Sequence, residues 1–557
     1  MQDASITRPG QSAAGFEPPP MVLGELIDAT VRDFAERPGM DFLGRKWTWG
    51  ETGRLIDRAA RGLQDQGLVK GDRLALCLPN TPFYIVLYFA AMKIGAVVVN
   101  LNPLYTEHEL THHLCDSGAR MIAVPDVAEI HAKVLAVLDK TSVERVVLCQ
   151  MADVLPRLKA LGWRLFKRAE RAPFRNDGRH VRYAELLRQK SPFAPVSVTP
   201  DDLAVLQYTG GTTGTPKGAM LTHRNLTANA LQQREHVGDV LHGPQRTLAV
   251  LPFFHVFALT AVLDFSVRVG SELVMLPRFE MDAVLATIRR TKPTMFFGVP
   301  TIFIAMNALS ADRMPDLSSL YACISGGAPL PLDVRTTFER LTGGKVCEGY
   351  GLTEASPIVA CNPVDGSVIK ENSCGPAFPG TVLEIRDPDA PERIMPQGER
   401  GEVCVRGPQV MAGYWNKPDE TAATFVDGAL RTGDIGYLDE DGYLFLVDRL
   451  KDLILCSGYN VYPRTIEEAA YRHPAVEEAI AIGVPDRYRG QSPKLFVKLH
   501  DGQTATAEEI RTFLGQYLSK IETPREVEIR AALPRTMVGK LSKKELVEEE
   551  RARSAAS

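Results

Sequence analysis

The chain has 557 residues, 45% of them hydrophobic, with a net charge of −4 and a pI near 6.3. That length corresponds to about three or four domain-sized units with large cores, and the near-neutral balance excludes the global basic field on which a nucleic-acid binder relies. Nine cysteines spread from Cys77 to Cys456 without a CxxC pair argue against a disulfide framework and suit a reducing, cytoplasmic compartment.

In chain order, residues 1–20 are polar and rich in Gly and Pro, and read as a disordered tail rather than a signal peptide. The apolar run Phe83 to Leu101 has membrane-like length, but Lys93 and Gly95 split it, which predicts a core helix followed by a buried strand. From Asp72 onward strand and helix patterns alternate: RLALCL, a helix, GAVVV, a helix from Glu107, ARMIAV, a helix, VERVVLC. The alternation resumes with TLAVL, ELVML, TMFFGV, YACIS and KVCEGYG, so the fold expected is α/β, with two doubly wound halves packed against each other. After Pro379 the short strands TVLEIRD, GEVCVRG and YLFLVD, with turn signals such as Glu440-Asp441-Gly442, predict a small antiparallel barrel. The last hundred or so residues return to mixed α/β.

Two stretches carry ambiguous chemistry. His108 to His112 reads HELTH, the zinc pattern HExxH with Glu109 as base, but it lacks a third ligand at a sensible spacing and is read as an ordinary polar helix face. Residues 153–182 suggest a basic amphipathic helix, with Arg157, Arg164, Arg168, Arg171 and Arg175 on one side and Val154, Leu158, Leu161 and Leu165 on another. The commoner use of such a helix is to pack its apolar face on its own domain, which is the expectation; its rival use is peripheral contact with an anionic inner membrane.

The chemical centre of the chain is Tyr208 to Gly218, YTGGTTGTPKG, after the strand-like VLQ and with a helix expected soon after Pro216. Gly210, Gly211, Gly214 and Gly218 allow positive φ and close approach to an anion. Thr209, Thr212, Thr213 and Thr215 supply hydroxyls and Lys217 a point charge, so the loop is suited to polyphosphate. In the nucleotide loop GxxxxGK[ST] the residue after Lys is the metal-binding hydroxyl; here it is Gly218, so magnesium ligands must come from elsewhere.

Four further stretches accompany the loop: LPFFHVFALT around His255, ISGGAPL with EGYGLTEASP near Glu354, RTGDIGYLDEDGYLFLVDRLKDLILCSGYNVYP from Arg431, and LPRTMVGKL around Lys540. Together with YTGGTTGTPKG, and in this order from about Leu23 to Glu550, they resemble the adenylate-forming superfamily, and within it bacterial long-chain fatty acid–CoA ligases. The resemblance implies a tail at 1–20, an AMP-binding domain at 21–448, a hinge at 449–453, a mobile C-terminal domain at 454–550 and a tail at 551–557. It implies ATP, Mg2+ and coenzyme A as cofactors, a fatty acid as substrate partner, and it admits a homodimer. Residue by residue, it implies that Gly210, Gly211, Thr212, Thr213, Gly214 and Lys217 hold phosphates, that Thr209 and Glu354 hold magnesium, and that Thr353 meets the α-phosphate. Gly326, Gly327 and Ala328, in the Ser325 to Pro329 turn, and Tyr350 with Gly351 would flank adenine. Asp434 and Arg449 would bind ribose, His255 would stand at the acyl carbonyl, and Lys451 would be the hinge. Lys540 would serve adenylation, and Ser457, Gly458 and Tyr459 would line the pantetheine path after domain rotation.

Two departures bear on the reading. GKLSKKEL stands where many relatives have RREL, which touches the terminal helix rather than the adenylating lysine. FFHVFALT is also not far from aryl-CoA ligases, so aryl and dicarboxylic acids compete as substrates. Rival readings are an acyl-AMP ligase serving a carrier protein and a silent binding protein; the first wants an insertion that DRLKDLILCSGYN lacks, and the second should have lost Lys217, Glu354 or Lys540.

Overall fold

A computed structural model describes residues 15–209, 216–456, 459–535 and 541–556. The first half is a seven-stranded sheet in the order His180–Arg182, Arg145–Cys149, Met121–Pro125, Arg73–Leu76, Val97–Asn100, Leu203–Thr209, Lys217–Thr222. All of its pairs are parallel except the last. The second half is an eight-stranded sheet, Ile358–Cys361, Lys345–Gly351, Ala322–Gly326, Met295–Gly298, Arg246–Ala249, Glu272–Met275, Pro38–Phe42, Arg45–Thr48. The hairpin that closes this sheet comes from the N-terminal segment, ahead of the region where the alternating pattern begins: Met40 to Phe42 pair in parallel with Leu273 to Met275.

The apolar run from Phe83 is divided as its Lys and Gly demand, into the helix Pro82–Lys93 and the strand Val97–Asn100. That helix is apolar all round and is buried along its length up to Met92. Polar side chains beside it stitch the halves together: Asn80 donates to the carbonyls of Ala249 and Leu251 and accepts from Phe253 N, and the Tyr84 hydroxyl reaches Asn100 and the Phe253 carbonyl. Each buried polar group is thus satisfied across the interface, which fixes the register of one half on the other.

The antiparallel element after Pro379 is a five-stranded sheet of Val382–Arg386, Gly401–Arg406, Phe425–Val426, Ala429–Leu438 and Leu444–Arg449. A 3-10 turn, Leu450–Asp452, leads from it to a small sheet of Ile454–Cys456, Tyr459–Val461, Val476–Asp486, Gly490–Leu499 and Glu526–Ile529, which has its own apolar core. The whole is a large N-terminal α/β domain with an antiparallel sheet, followed by a small α+β C-terminal domain. All nine cysteines are unpaired. Among the described residues no helix is long and apolar enough to cross a membrane.

Three local expectations are corrected. No helix follows directly on Pro216: Lys217–Thr222 is a strand paired antiparallel with Leu203–Thr209, and the helix His223–Val237 begins only where Thr222 caps it. Gly218 lies in that strand, so it serves close packing instead of positive φ; a Cβ there would come within 3.3 Å of the Tyr208 ring. The helix expected across 153–182 is confined to Arg157–Phe166, and its apolar face does not pack on its own domain: Leu158, Leu161 and Leu165 are exposed, and the residues turned inward are Ala160 and, in part, Trp163. In HELTH, Glu109 is consumed by the capping box of its own helix, accepting from Thr106 N at 2.8 Å, which leaves a fold role and no ligand set.

Candidate active site

The hairpin of Leu203–Thr209 and Lys217–Thr222 places Thr209 directly opposite Lys217 at the end joined by residues 210–216. Gly210, Gly211, Thr212, Thr213, Gly214 and Thr215 lie outside the described residues, as do Ser457, Gly458 and Lys540. The mouth of the loop is nevertheless defined. Main-chain bonds join Met220 N to the Gly413 carbonyl and Trp415 N to the Gly218 carbonyl, so the segment 411–415 runs alongside the hairpin as an extra edge.

That edge delivers Tyr414. Its ring lies under the Lys217 ammonium, 4.8 Å from nitrogen to ring centre, and its hydroxyl donates to Glu354 Oε1 at 2.7 Å. Burial and the nearby Glu354 charge hold the phenol far above its usual range, so it stays a donor. Glu354 itself sits in the 3-10 turn Thr353–Ala355 just past the strand Lys345–Gly351, and its carbonyl accepts from Met411 N at 2.8 Å. Lys217, Tyr414 and Glu354 thereby form one unit drawn from three distant stretches. Tyr414 was not singled out from sequence; the signal was only a GYW triplet in a loop, without a recognisable pattern of its own.

A second unit lies at the antiparallel sheet. Asp434, nearly buried, pairs in register with Arg449, whose Nε donates to Oδ1 at 2.7 Å, while the Tyr350 hydroxyl donates to Oδ2 at 2.6 Å. The carboxylate keeps spare lone pairs, because each oxygen can accept more than once. Asp434 pushes the guanidinium of Arg449 up and, together with burial, the phenol of Tyr350. Lys451 lies within electrostatic reach of both units: burial and Arg449 depress its ammonium, while Asp452, Asp434 and Glu354 favour it.

His255 follows the strand Arg246–Ala249 and is half-buried, its Nδ1 accepting from Phe257 N at 3.2 Å. A π-helix, Phe257–Asp264, starts immediately after it. Such helices are rare and concentrate at functional sites. The Phe257 ring packs on the end of the strand Ala322–Gly326, where a Cβ on Gly326 would meet it at 3.0 Å, so Gly326 is favoured by tight packing, whereas Gly327 takes φ +84° and is favoured by the backbone itself. Gly351 is likewise obligatory, since a Cβ would lie 2.2 Å from the Pro357 carbonyl. His255, Gly326, Gly327, Ala328, Gly351, Thr353 and Glu354 all follow or end strands of one parallel run, the edge at which open α/β sheets bind ligands. Tyr459 is exposed on the small domain, in register with Cys456. Lys543 of the SKKEL stretch contacts Glu467 at 3.2 Å and lies 4.0 Å from Asp452, and the terminal helix starts at Lys544, so this departure from RREL is tied to the hinge and the terminal helix.

The oxygen donors Thr209 and Glu354 suit a hard cation such as magnesium, which uses one or two protein oxygens when substrate phosphates supply others. Among the described residues no group of three His, Cys, Asp or Glu side chains could cage a metal.

The model of AMP-binding enzymes matches residues 27–415, and that of the AMP-binding enzyme C-terminal domain matches residues 465–540. A long-chain-fatty-acid–CoA ligase of Bacillus subtilis (strain 168) is 41% identical over 529 residues, covering 94% of each chain. A ligase of the same description from Escherichia coli O6:H1 is 38% identical, over 95% of this chain and 94% of its own. Among solved structures, ATP-bound MatB from Rhodopseudomonas palustris superposes with a TM-score of 0.83 at 29% identity, over 95% of this chain and 99% of its own. The order of the two matched models, the near-complete coverage and the two assembled units agree: the chain belongs to the AMP-binding enzyme family.

Proposed function

We propose that this protein is an ATP-dependent fatty acid–CoA ligase, acting on medium to long chains in the cytoplasm, with ATP, Mg2+ and coenzyme A. The observation that carries the reading is the pair of units that meet at the end of the strand Lys345–Gly351, which supplies Tyr350 and leads into Glu354: Lys217–Tyr414–Glu354, suited to polyphosphate with its metal, and Tyr350–Asp434–Arg449, suited to a ribose diol. A carboxylate cannot exchange with a thiol directly, because oxide is too poor a leaving group. Its oxygen first attacks the α-phosphorus, the bond to pyrophosphate breaks, and an acyl-adenylate forms; the CoA thiolate then attacks the carbonyl carbon and AMP departs.

In this scheme Lys217 and the loop from Gly210 to Gly214, with Thr212 and Thr213, orient the β and γ phosphates, and Thr353 donates toward the α-phosphate. Thr209 and Glu354 would hold magnesium, which when bound neutralises charge on the phosphate oxygens. Gly326, Gly327, Ala328, Tyr350 and Gly351 flank adenine. His255 stands between acyl pocket and thiol path. Lys540 faces the carboxylate and α-phosphate in one orientation of the 454–550 domain, and rotation about Lys451 within 449–453 brings Ser457, Gly458 and Tyr459 to the pantetheine. Residues 153–182 bring the enzyme to a membrane surface.

The test is thioester formation from acids of short to long chain, with dicarboxylic and aryl acids alongside, and AMP measured as product. Preference for medium or long alkyl chains is expected. Faster turnover of aryl or dicarboxylic acids, or acyl delivery to a carrier protein in place of CoA, would overturn the assignment.

A further inference from the structure

The helix Arg157–Phe166 is built inside out for a water-soluble domain. Relative exposures are 85% at Leu158, 54% at Leu161, 62% at Leu165 and 84% at Phe166, whereas Ala160 is buried and Trp163 half-buried against the main core. At about 100° per residue, the three leucines fall within about 60° of the circumference, on the side away from Ala160 and Trp163. Arg157 and Arg164 border that stripe on one side; Phe166 and Lys159 border it on the other. Isolated apolar side chains on a surface are ordinary, but a stripe of three leucines with a phenylalanine at its border on one short helix marks an interaction site.

Charge selects the occupant. Arg157 and Arg168 have no ion pair among the described residues, and Arg164 has only a long one, 3.9 Å to Asp153. The remaining basic groups are partly engaged, Lys159 with the Leu43 carbonyl and Lys167 with Glu170. A leucine stripe edged by Arg157 and the weakly paired Arg164, with Arg168 just beyond the helix, matches an anionic lipid surface, where leucines enter the acyl layer and arginines meet headgroup phosphates. Ten residues span about 15 Å, too short to cross a bilayer, so the helix lies in its plane.

We infer that Arg157–Phe166 is a membrane-insertion helix, holding the protein on anionic bilayers chiefly through Leu158, Leu161 and Leu165, with Arg157, Arg164 and Arg168 as a secondary electrostatic contribution. The inference gives a place to the fatty-acid reading, since long-chain acids partition into lipid, and it rests on that reading only for its purpose. The helix is anchored to the large domain, by Trp163 on the core and Arg45 donating to the Asp153 carbonyl, so docking fixes the orientation of the whole N-terminal domain.

Co-sedimentation with phosphatidylglycerol-containing vesicles, with neither ATP nor acid present, tests this apart from catalysis. L158Q/L161Q/L165Q is expected to weaken binding by roughly tenfold per leucine, while its thermal midpoint and its turnover of a water-soluble medium-chain acid stay as in the parent. R157Q/R164Q/R168Q is expected to lower binding to anionic vesicles only, and high salt to leave the leucine-dependent part. Parent-like vesicle binding by the leucine variant, or absence of vesicle binding by the unmodified protein, would overturn the inference. So would a shift of the leucine variant from dimer to monomer in lipid-free sedimentation, which would assign the stripe to a second copy of the chain.

Discussion

Replacing Tyr414 by Phe removes one oxygen and leaves the ring under Lys217, so the cation–π contact survives and only the bond to Glu354 is lost. That bond is short at 2.7 Å, part-buried and made to a carboxylate, the class worth about 1.5–3 kcal/mol. If the phenol orients Glu354 for magnesium, its loss should weaken use of MgATP by about 10- to 150-fold. The effect should appear as a higher magnesium requirement in ATP–pyrophosphate exchange and as weaker binding of MgATP by calorimetry, with little change in the requirement for acid. Because Tyr414 would act through Glu354, Y414F and E354Q should be non-additive, with a coupling of about 1–3 kcal/mol. Additive losses, or a Y414F defect confined to the acid, would refute the unit as a magnesium-positioning device and leave Tyr414 a packing residue.

Lys217→Ala should raise the apparent requirement for ATP far more than that for acid, with steady-state titration of each substrate as the check; equal effects would remove Lys217 from the phosphates. Lys540→Ala should lower adenylation by about 10² to 10³ or more, the scale for deleting one preorganised charge donor, yet largely spare thioester formation from supplied acyl-AMP. Lys451→Pro should do the reverse by fixing φ at the hinge, and pyrophosphate exchange set beside thioester formation separates the two; equal loss of both steps in Lys540→Ala would contradict the two-orientation scheme. His223 is buried, accepts from Leu23 N at 3.2 Å, and is held down to about 4 by burial. Its folded value lies below the unfolded value of about 6.5, so its contribution to stability is present above pH ~6.5 and is lost as pH falls toward 4. Between pH ~6.5 and 5 the parent should lose about 2 kcal/mol more than H223Q in urea titrations, and parallel curves would refute the assignment.

The sequence by itself determined the element types and their order. Short apolar runs alternating with helical segments set the α/β class, and Lys93 and Gly95 were enough to turn a membrane-like run into a helix and a strand. It also determined which short stretches carry chemistry, because Gly-rich and Thr-rich turns with a lysine have few physical uses. What it could not determine was adjacency between distant residues. The meeting of Lys217 with Glu354 and Tyr414, both more than a hundred residues further along the chain, is set by main-chain pairing of 411–415 with the hairpin edge, which leaves no periodic trace. The N-terminal strand Pro38–Phe42 and its hairpin partner Arg45–Thr48 joined a sheet whose other members begin about two hundred residues later, a choice made by the free edge available in space. Most plainly, an amphipathic pattern states that a helix has two faces but not which one is turned inward. In Arg157–Phe166 the small Ala160 and the half-buried Trp163 fit against the domain, and the leucines were left outside.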